Sequence, residues 1–282
     1  MTRVAAIQMT SSANLDTNLH EAARLIGAAA RAGATLVVLP ENFSCMPRAE
    51  TDRLAVAETD GAGPTQDFLA EQARTHKLWL VGGTLPIKAA TPGKLRAASL
   101  LYDDRGVRVA RYDKMHLFDV RLSNGEVYEE SRMFEAGTEL VVADTPVGKL
   151  GLSVCYDVRF PELYRGLLDA GAEVLAIPAA FTAHTGRAHW EVLVRARAIE
   201  NFSYVVAAAQ WGTHANGRHT HGDSMIVNAW GETIDRMPVG TGYVIGEIKR
   251  EEQAQLRANL PAIEHRKLRA GSVGVNARSV PA

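Results

Sequence analysis

Apolar and β-branched residues fall along this chain in short, nearly continuous runs, separated by segments in which apolar positions recur at helical spacing. Residues 4–9 form one run and residues 35–39 another. Between them Leu15, Leu19, Ala22, Ala23, Ile26 and Ala30 return at the period of one helix face, and Gly33 stops that helix. A run without alternation is what a strand needs when both of its faces are covered, so the chain opens as β-α-β within an α/β sheet. Gly63 and Pro64 then start a second helix over residues 66–75, with a strand predicted at 78–81. Strands at 97–102 and 107–112 flank Asp103-Asp104-Arg105-Gly106, whose composition is that of a hairpin turn.

A polar stretch over residues 116–137 breaks the pattern, as functional loops do in compact domains. Regularity then returns. A strand is predicted at 149–154, and a helix starts at Pro161, carries Leu163, Leu167 and Leu168 on one face, and ends at Gly171. A strand at 174–177, a helix at 188–200, a strong strand at 204–209 and further strands at 225–228 and 243–248 complete the series, so that the second half repeats the logic of the first. No repeat, low-complexity tract or linker divides the chain. The expectation is one domain over residues 1–270, followed by a small, polar tail at 271–282 that is flexible or contacts a partner subunit.

Composition narrows the possible partners. The 282 residues are 46% hydrophobic and 22% charged with a formal net charge of -1, ordinary values for a globular chain able to bury a large core. Basic residues are interspersed with acidic ones, so nucleic acid and anionic membrane are excluded as partners and a small molecule is expected. No apolar run reaches the roughly 20 residues that span a bilayer, and the start of the chain lacks a signal-peptide pattern. Two cysteines, Cys45 and Cys155, are too few for a disulfide framework and suit a reducing, cytoplasmic setting, where the sequons at Asn42 and Asn201 carry no meaning.

Chemistry gathers at three predicted strand ends, where ligand sites of α/β sheets form. Residues 36–40 lead into Glu41, residues 109–113 into Lys114, and residues 150–154 into Cys155. Each has a plain reading when taken alone: Glu41 as a loop acid, Lys114 as a solvated charge, Cys155 as a small buried hydrophobe. Together they make a base, a cation and a thiol. A cysteine before a turn and a helix start, beside an ammonium, sits where the thiolate is favoured. The ammonium would also stabilise the oxyanion of an acyl-transfer intermediate, and the carboxylate would act as general base. Cys45 lacks an adjoining helix start and is expected to be structural.

The three segments also resemble a known family. Leu39-Pro40-Glu41-Asn42-Phe43, Tyr112-Asp113-Lys114-Met115-His116-Leu117-Phe118-Asp119 and Cys155-Tyr156-Asp157-Val158-Arg159-Phe160-Pro161-Glu162-Leu163 look like the three signature blocks of the nitrilase superfamily, in its order. The resemblance implies a four-layer α-β-β-α sandwich, a Glu41-Lys114-Cys155 triad, no metal or organic cofactor, and a homodimer or higher homo-oligomer. It places Glu130 beside the lysine as a second, supporting glutamate. It puts the substrate carbonyl oxygen between Lys114 and the backbone amide of Tyr156, and Phe181 and Thr185 where similar enzymes line an acid-binding pocket. Arg159 offers a planar fork for a substrate carboxylate, with an ion pair to Glu162 as the structural alternative.

Residues 188–200 and 204–210 are most similar to the branch that hydrolyses deaminated glutathione. The implied reaction is hydrolysis of a small carboxylate-bearing amide through a cysteine thioester, rather than nitrile cleavage. An ω-amidase acting on α-ketoglutaramate or α-ketosuccinamate is the alternative, with an N-carbamoyl amide hydrolase or a non-catalytic binding module behind it. Other motifs explain fewer residues. Gly151-Leu152-Ser153-Val154-Cys155 misses the serine-hydrolase elbow at its last position. His214, His219 and His221 lack the helical spacing and carboxylates of a metal site, and a Cys-His pair with His116 or His189 leaves the Lys114 and Glu41 blocks unexplained.

Overall fold

The structure is a computed structural model and describes residues 2–268. The chain begins with β1 (Thr2–Gln8), α1 (Leu15–Arg31) and β2 (Ala34–Val38). The Asn14 side chain caps α1 by accepting the Thr17 N–H at 2.8 Å, which satisfies one free amide of the first turn. Next come α2 (Pro64–His76), β3 (Trp79–Val81), β4 (Leu85–Lys88), β5 (Leu95–Tyr102) and β6 (Arg108–Asp113). The polar stretch that followed in sequence folds into a small hairpin, β7 (Asp119–Arg121) with β8 (Val127–Glu129), and a short turn of 3-10 helix at Glu130–Arg132.

The second half supplies β9 (Val142–Thr145), β10 (Gly148–Leu152), α3 (Pro161–Asp169), β11 (Val174–Ala179), α4 (Ala183–Asn201) and β12 (Tyr204–Ala209). The hairpin β13 (Trp211–Thr213) and β14 (His219–His221) precedes β15 (Ser224–Val227), β16 (Thr233–Met237), β17 (Gly242–Ile248) and α5 (Arg250–Asn259). Helix α4 starts at Ala183 rather than at 188, because the Thr182 hydroxyl accepts the Thr185 N–H and caps it there.

Two sheets result. The first is seven-stranded in the order β17-β1-β2-β3-β5-β4, with β6 on β5, and the second six-stranded in the order β16-β15-β12-β11-β10-β9. The halves are therefore not independent copies. β17 crosses back to pair antiparallel with β1, from Thr2 opposite Ile248 to Gln8 opposite Gly242. Alternate residues of each central strand serve different layers: Val4, Ala6, Leu36 and Val38 join the core between the sheets with Leu152 and Ala176. Ala5, Ile7, Val37 and Leu39 pack instead with Ala22, Leu25 and Ile26 of α1 and Leu69 of α2. Helices α3 and α4 cover the second sheet, giving the four-layer α-β-β-α sandwich. Burial on both faces is the reason these strands carry no polar alternation. Among the described residues no helix is long and apolar enough to cross a membrane. The predicted tail at 271–282 lies outside the described residues.

Candidate active site

Strand β10 ends at Leu152, and three residues later, at Cys155, the chain turns sharply. Cys155 adopts φ +47°, in the left-handed region that a side-chain-bearing residue occupies only when its surroundings enforce it. The enforcement is visible. Asp157, fully buried, accepts the Val154 N–H at 2.8 Å, while the Ser153 hydroxyl meets Tyr164 Oη and Ala176 O, each at 2.9 Å. Arg197 braces the far side, donating from Nε to Val158 O at 2.9 Å with its guanidinium 5.4 Å from the Tyr164 ring centre. A 3-10 helix, Cys155–Arg159, then leads into α3.

The same aspartate ties this turn to the lysine. Its other contacts are the Tyr112 hydroxyl at 2.7 Å, the His116 N–H at 3.0 Å and His116 Nδ1 at 2.7 Å, and Tyr112 and His116 flank Lys114 in sequence. Glycines permit the approach of the other strand ends. A Cβ on Gly83, which has φ +53°, would lie 2.1 Å from Pro40 O, and one on Gly137 would lie 2.0 Å from Asp113 O. Both contacts are possible only without a side chain. They set the turns that carry Glu41 and Lys114.

Glu41, Lys114 and Cys155 meet in one buried cluster, exposed by 4%, 2% and 7%. Lys114 Nζ donates to Glu41 Oε1 at 2.8 Å and to Glu130 Oε1 and Oε2 at 3.0 and 2.8 Å. Glu41 Oε2 accepts the Ala180 N–H at 2.9 Å, and the Cys155 thiol lies against the same carboxylate. Glu130 Oε2 also accepts the Phe118 N–H at 2.6 Å, which fastens the irregular loop over the lysine.

Burial alone would push Glu41 up, yet the Lys114 charge and hydrogen bond, with help from Cys155 and Arg218, hold it below the usual carboxylate range. Burial would likewise lower Lys114, but Glu130 and Glu41 reverse this and keep it firmly protonated. For Cys155 the balance runs opposite to the thiolate expected from sequence. Burial and the Glu41 charge push the thiol well above its ordinary value, outweighing Lys114 and the Ala180 amide. The resting pair is therefore a neutral thiol against a carboxylate. Such a pair can pass a proton from Sγ to Glu41 as the sulfur attacks.

Residues 3–258 match the carbon-nitrogen hydrolase family. The chain belongs to the carbon-nitrogen hydrolase family. It is 46% identical over 265 residues to the deaminated glutathione amidase of Synechocystis sp. strain PCC 6803, covering 93% of this chain and 97% of that protein. Among solved structures, the Caenorhabditis elegans NitFhit protein superposes with a TM-score of 0.85 at 37% identity over 94% of this chain, which spans 65% of that fusion protein. Saccharomyces cerevisiae Nit3, described as a member of branch 10 of the nitrilase superfamily, gives 0.84 at 30% identity, covering 95% of this chain and 97% of that one. As a carbon-nitrogen hydrolase with amidase relatives, the protein is an amide-cleaving enzyme of small-molecule substrates.

The carbon-nitrogen hydrolase cavity, about 120 Å³ in volume, opens at Cys155. Glu41, Lys114, Glu130, Tyr156, Phe181 and Thr185 all line it. Arg159 does not. Its guanidinium lies 4.9 Å from the Phe181 ring centre and 5.9 Å from the Tyr156 ring centre, with Nη1 3.2 Å from His189 Nδ1, and it forms no ion pair with Glu162. Two lining cations, Arg53 and Arg218, escaped sequence reasoning. Arg53 lies on a 3-10 turn, Glu50–Leu54, that carries no motif. Arg218 sits in the hairpin of histidines weighed as metal ligands, where His214 instead bonds Ser11 O and Thr220 Oγ1, and His219 bonds Thr213. The signal that marks them is three-dimensional: a cation facing a cavity.

Proposed function

We propose that this enzyme hydrolyses deaminated glutathione through a thioester on Cys155. In that substrate a carbonyl replaces the glutamyl amino group of glutathione, and the scissile amide joins a five-carbon oxo acid to cysteinylglycine. The similarity to a deaminated glutathione amidase over 93% of this chain carries the substrate assignment. The meeting of Glu41, Lys114 and Cys155 in one cavity supports the mechanism.

Glu41 takes the Sγ proton as sulfur attacks the amide carbon. Lys114 Nζ and the Tyr156 N–H receive the developing oxyanion, where removing one such donor costs enzymes about 3–4 kcal/mol. Collapse of the intermediate expels the amine, which takes the proton back from Glu41, and leaves the acyl group on sulfur. Glu41 then deprotonates a water that attacks the thioester, and a second collapse releases the acid and restores the thiol. Glu130 supports the lysine by fixing Nζ and neutralising its charge at rest. Phe181 and Thr185 shape the acyl side of the cavity, with the Arg159 guanidinium 4.9 Å from the Phe181 ring to keep that wall electropositive.

The test sets kcat/KM for deaminated glutathione beside that for α-ketoglutaramate. A clear preference for the former is the expected result, and a large preference for the latter makes the protein an ω-amidase. Cys155→Ala is expected to abolish both activities and to lose the thiol-linked acyl adduct in mass spectrometry. The protein is further proposed to be cytoplasmic and to form a homo-oligomer; the exposure of Ile199 and Trp230 beside Leu260 supports the oligomer, and light scattering in solution measures its mass.

A further inference from the structure

The cations that line the cavity stand in unequal circumstances. Lys114 is matched by Glu41 and Glu130, and Arg53 by Glu50 and the Asn42 amide. Arg218 has no carboxylate partner among the described residues. Its Nη2 donates to the Ala180 carbonyl, its guanidinium lies 5.0 Å from the Tyr128 ring centre, and its Nε is buried with no acceptor. Buried donors are paired in folded proteins, so a guanidinium left incomplete on a cavity wall is one that a ligand completes.

Its position says which part of the ligand. Ala180 gives its N–H to Glu41 Oε2 and its carbonyl to Arg218, so a single residue's backbone separates the guanidinium from the general base. The same proximity makes Arg218 one of the charges that keep Glu41 ionised. In the reaction proposed above, the leaving amine must lie against Glu41 to recover the thiol proton. An anionic group carried by that amine is therefore the nearest partner for Arg218. The planar fork, fixed by stacking on Tyr128, suits the two oxygens of a carboxylate.

We propose that Arg218, backed by Tyr128, is the receptor for a carboxylate on the leaving amine, selecting amides of amino-acid or peptide amines over primary amides. This rests on the thioester reading with Glu41 as proton carrier. It assigns substrate choice to β8 and the β13–β14 turn, elements distinct from the three that carry the triad.

The test compares deaminated glutathione with its C-terminal carboxamide, which keeps the scissile bond and removes only the charge of the leaving group. Wild type is expected to favour the acid by about 10- to 100-fold in kcat/KM, chiefly through KM, the range of one charge-assisted pair. Arg218→Gln is expected to bring that ratio close to one, and Arg218→Lys, which keeps the charge without the fork, to a value between. Tyr128→Leu, which removes the ring beneath the guanidinium and leaves Arg218 in place, is expected to lower the ratio as well. Absence of an acid preference in wild type overturns the proposal. So does a preference that survives in Arg218→Gln, or a loss equal for acid and carboxamide, which would make Arg218 a support for Ala180 and Glu41 alone. A wild type that leaves both compounds intact yet hydrolyses α-ketoglutaramate overturns the substrate reading itself, so the two failures give different results.

Discussion

Asp157→Asn isolates the tether between nucleophile and lysine. Each carboxylate oxygen serves two donors: Oδ1 takes the N–H and Nδ1 of His116, and Oδ2 takes the Tyr112 hydroxyl and the Val154 N–H. A carboxamide keeps one oxygen and replaces the other with a donor. The His116 ring can change tautomer and the Tyr112 hydroxyl can turn, but a backbone N–H can do neither. Whichever way the amide is set, the Val154 or the His116 N–H loses its acceptor on a fully buried Asp157. One orphaned buried donor costs about 1–3 kcal/mol, and the remaining bonds lose their charge assistance for about 1 kcal/mol more. The expected loss of about 2–4 kcal/mol is read as a lower urea midpoint at unchanged m-value. Activity follows the geometry. With Cys155 and Lys114 no longer held in register, kcat is expected to fall about 10- to 100-fold with little change in KM. A variant with wild-type midpoint and wild-type kcat would falsify the assignment of Asp157 as the positioning residue.

The remaining predictions concern the cluster itself. Glu130→Gln, which leaves Lys114 with one charged partner, is expected to lower kcat about tenfold or more while substrate KM stays near wild type in steady-state kinetics. Cys155→Gly is expected to be more stable to urea than Cys155→Ala by about 1 kcal/mol, because only glycine is free of strain at φ +47°; equal midpoints would count against strain at the turn. Gly83→Ala places a methyl within 2.1 Å of Pro40 O, so it is expected to cost about 2 kcal/mol or more and to reduce kcat by displacing Glu41. The pH profile has a definite sign. Turnover needs Glu41 ionised and the thiol protonated, and these are pushed down and up respectively, so kcat/KM is expected to be flat from about pH 5 to beyond pH 9. An inflection near the ordinary cysteine value of about 8.5 would contradict the buried neutral thiol. Because its folded value is depressed, Glu41 contributes stability that is present above its unfolded pKa of about 4.3 and lost as pH falls through the folded one.

Much of this architecture was legible from periodicity because the central strands are buried on both faces. Apart from Gln8 and Thr35, residues 4–9 and 35–39 are apolar without alternation, and the structure shows why in the division of Ala5 and Ile7 from Val4 and Ala6. What escaped detection was held by long-range hydrogen bonding. The β13–β14 hairpin has short strands and polar side chains, and its register depends on pairing Trp211 with His221. β17 was visible as a strand, but nothing local says that it returns to β1. In the cavity, Tyr156, Phe181 and Thr185 adjoin elements that sequence could place, whereas Arg159, expected to hold a substrate carboxylate, lies against the Phe181 and Tyr156 rings without lining the cavity itself. A guanidinium on a long side chain can reach either side of a wall, and spacing along a 3-10 turn does not decide which.

The state of the thiol marks the deeper limit of reading from residue types. A helix start and a lysine beside a cysteine both favour the thiolate, and both are present. The outcome is reversed because Lys114 is shared: its charge is already matched by Glu41 and Glu130 before it acts on Cys155. What remains around sulfur is low dielectric and a neighbouring carboxylate, and both favour the neutral form. A nucleophile kept neutral needs its base in contact throughout the cycle. That requirement accounts for the arrangement in which one carboxylate, Glu41, meets the thiol, the ammonium and the Ala180 amide at once. It also confines the charge on sulfur to the moment when a carbonyl carbon is there to receive it.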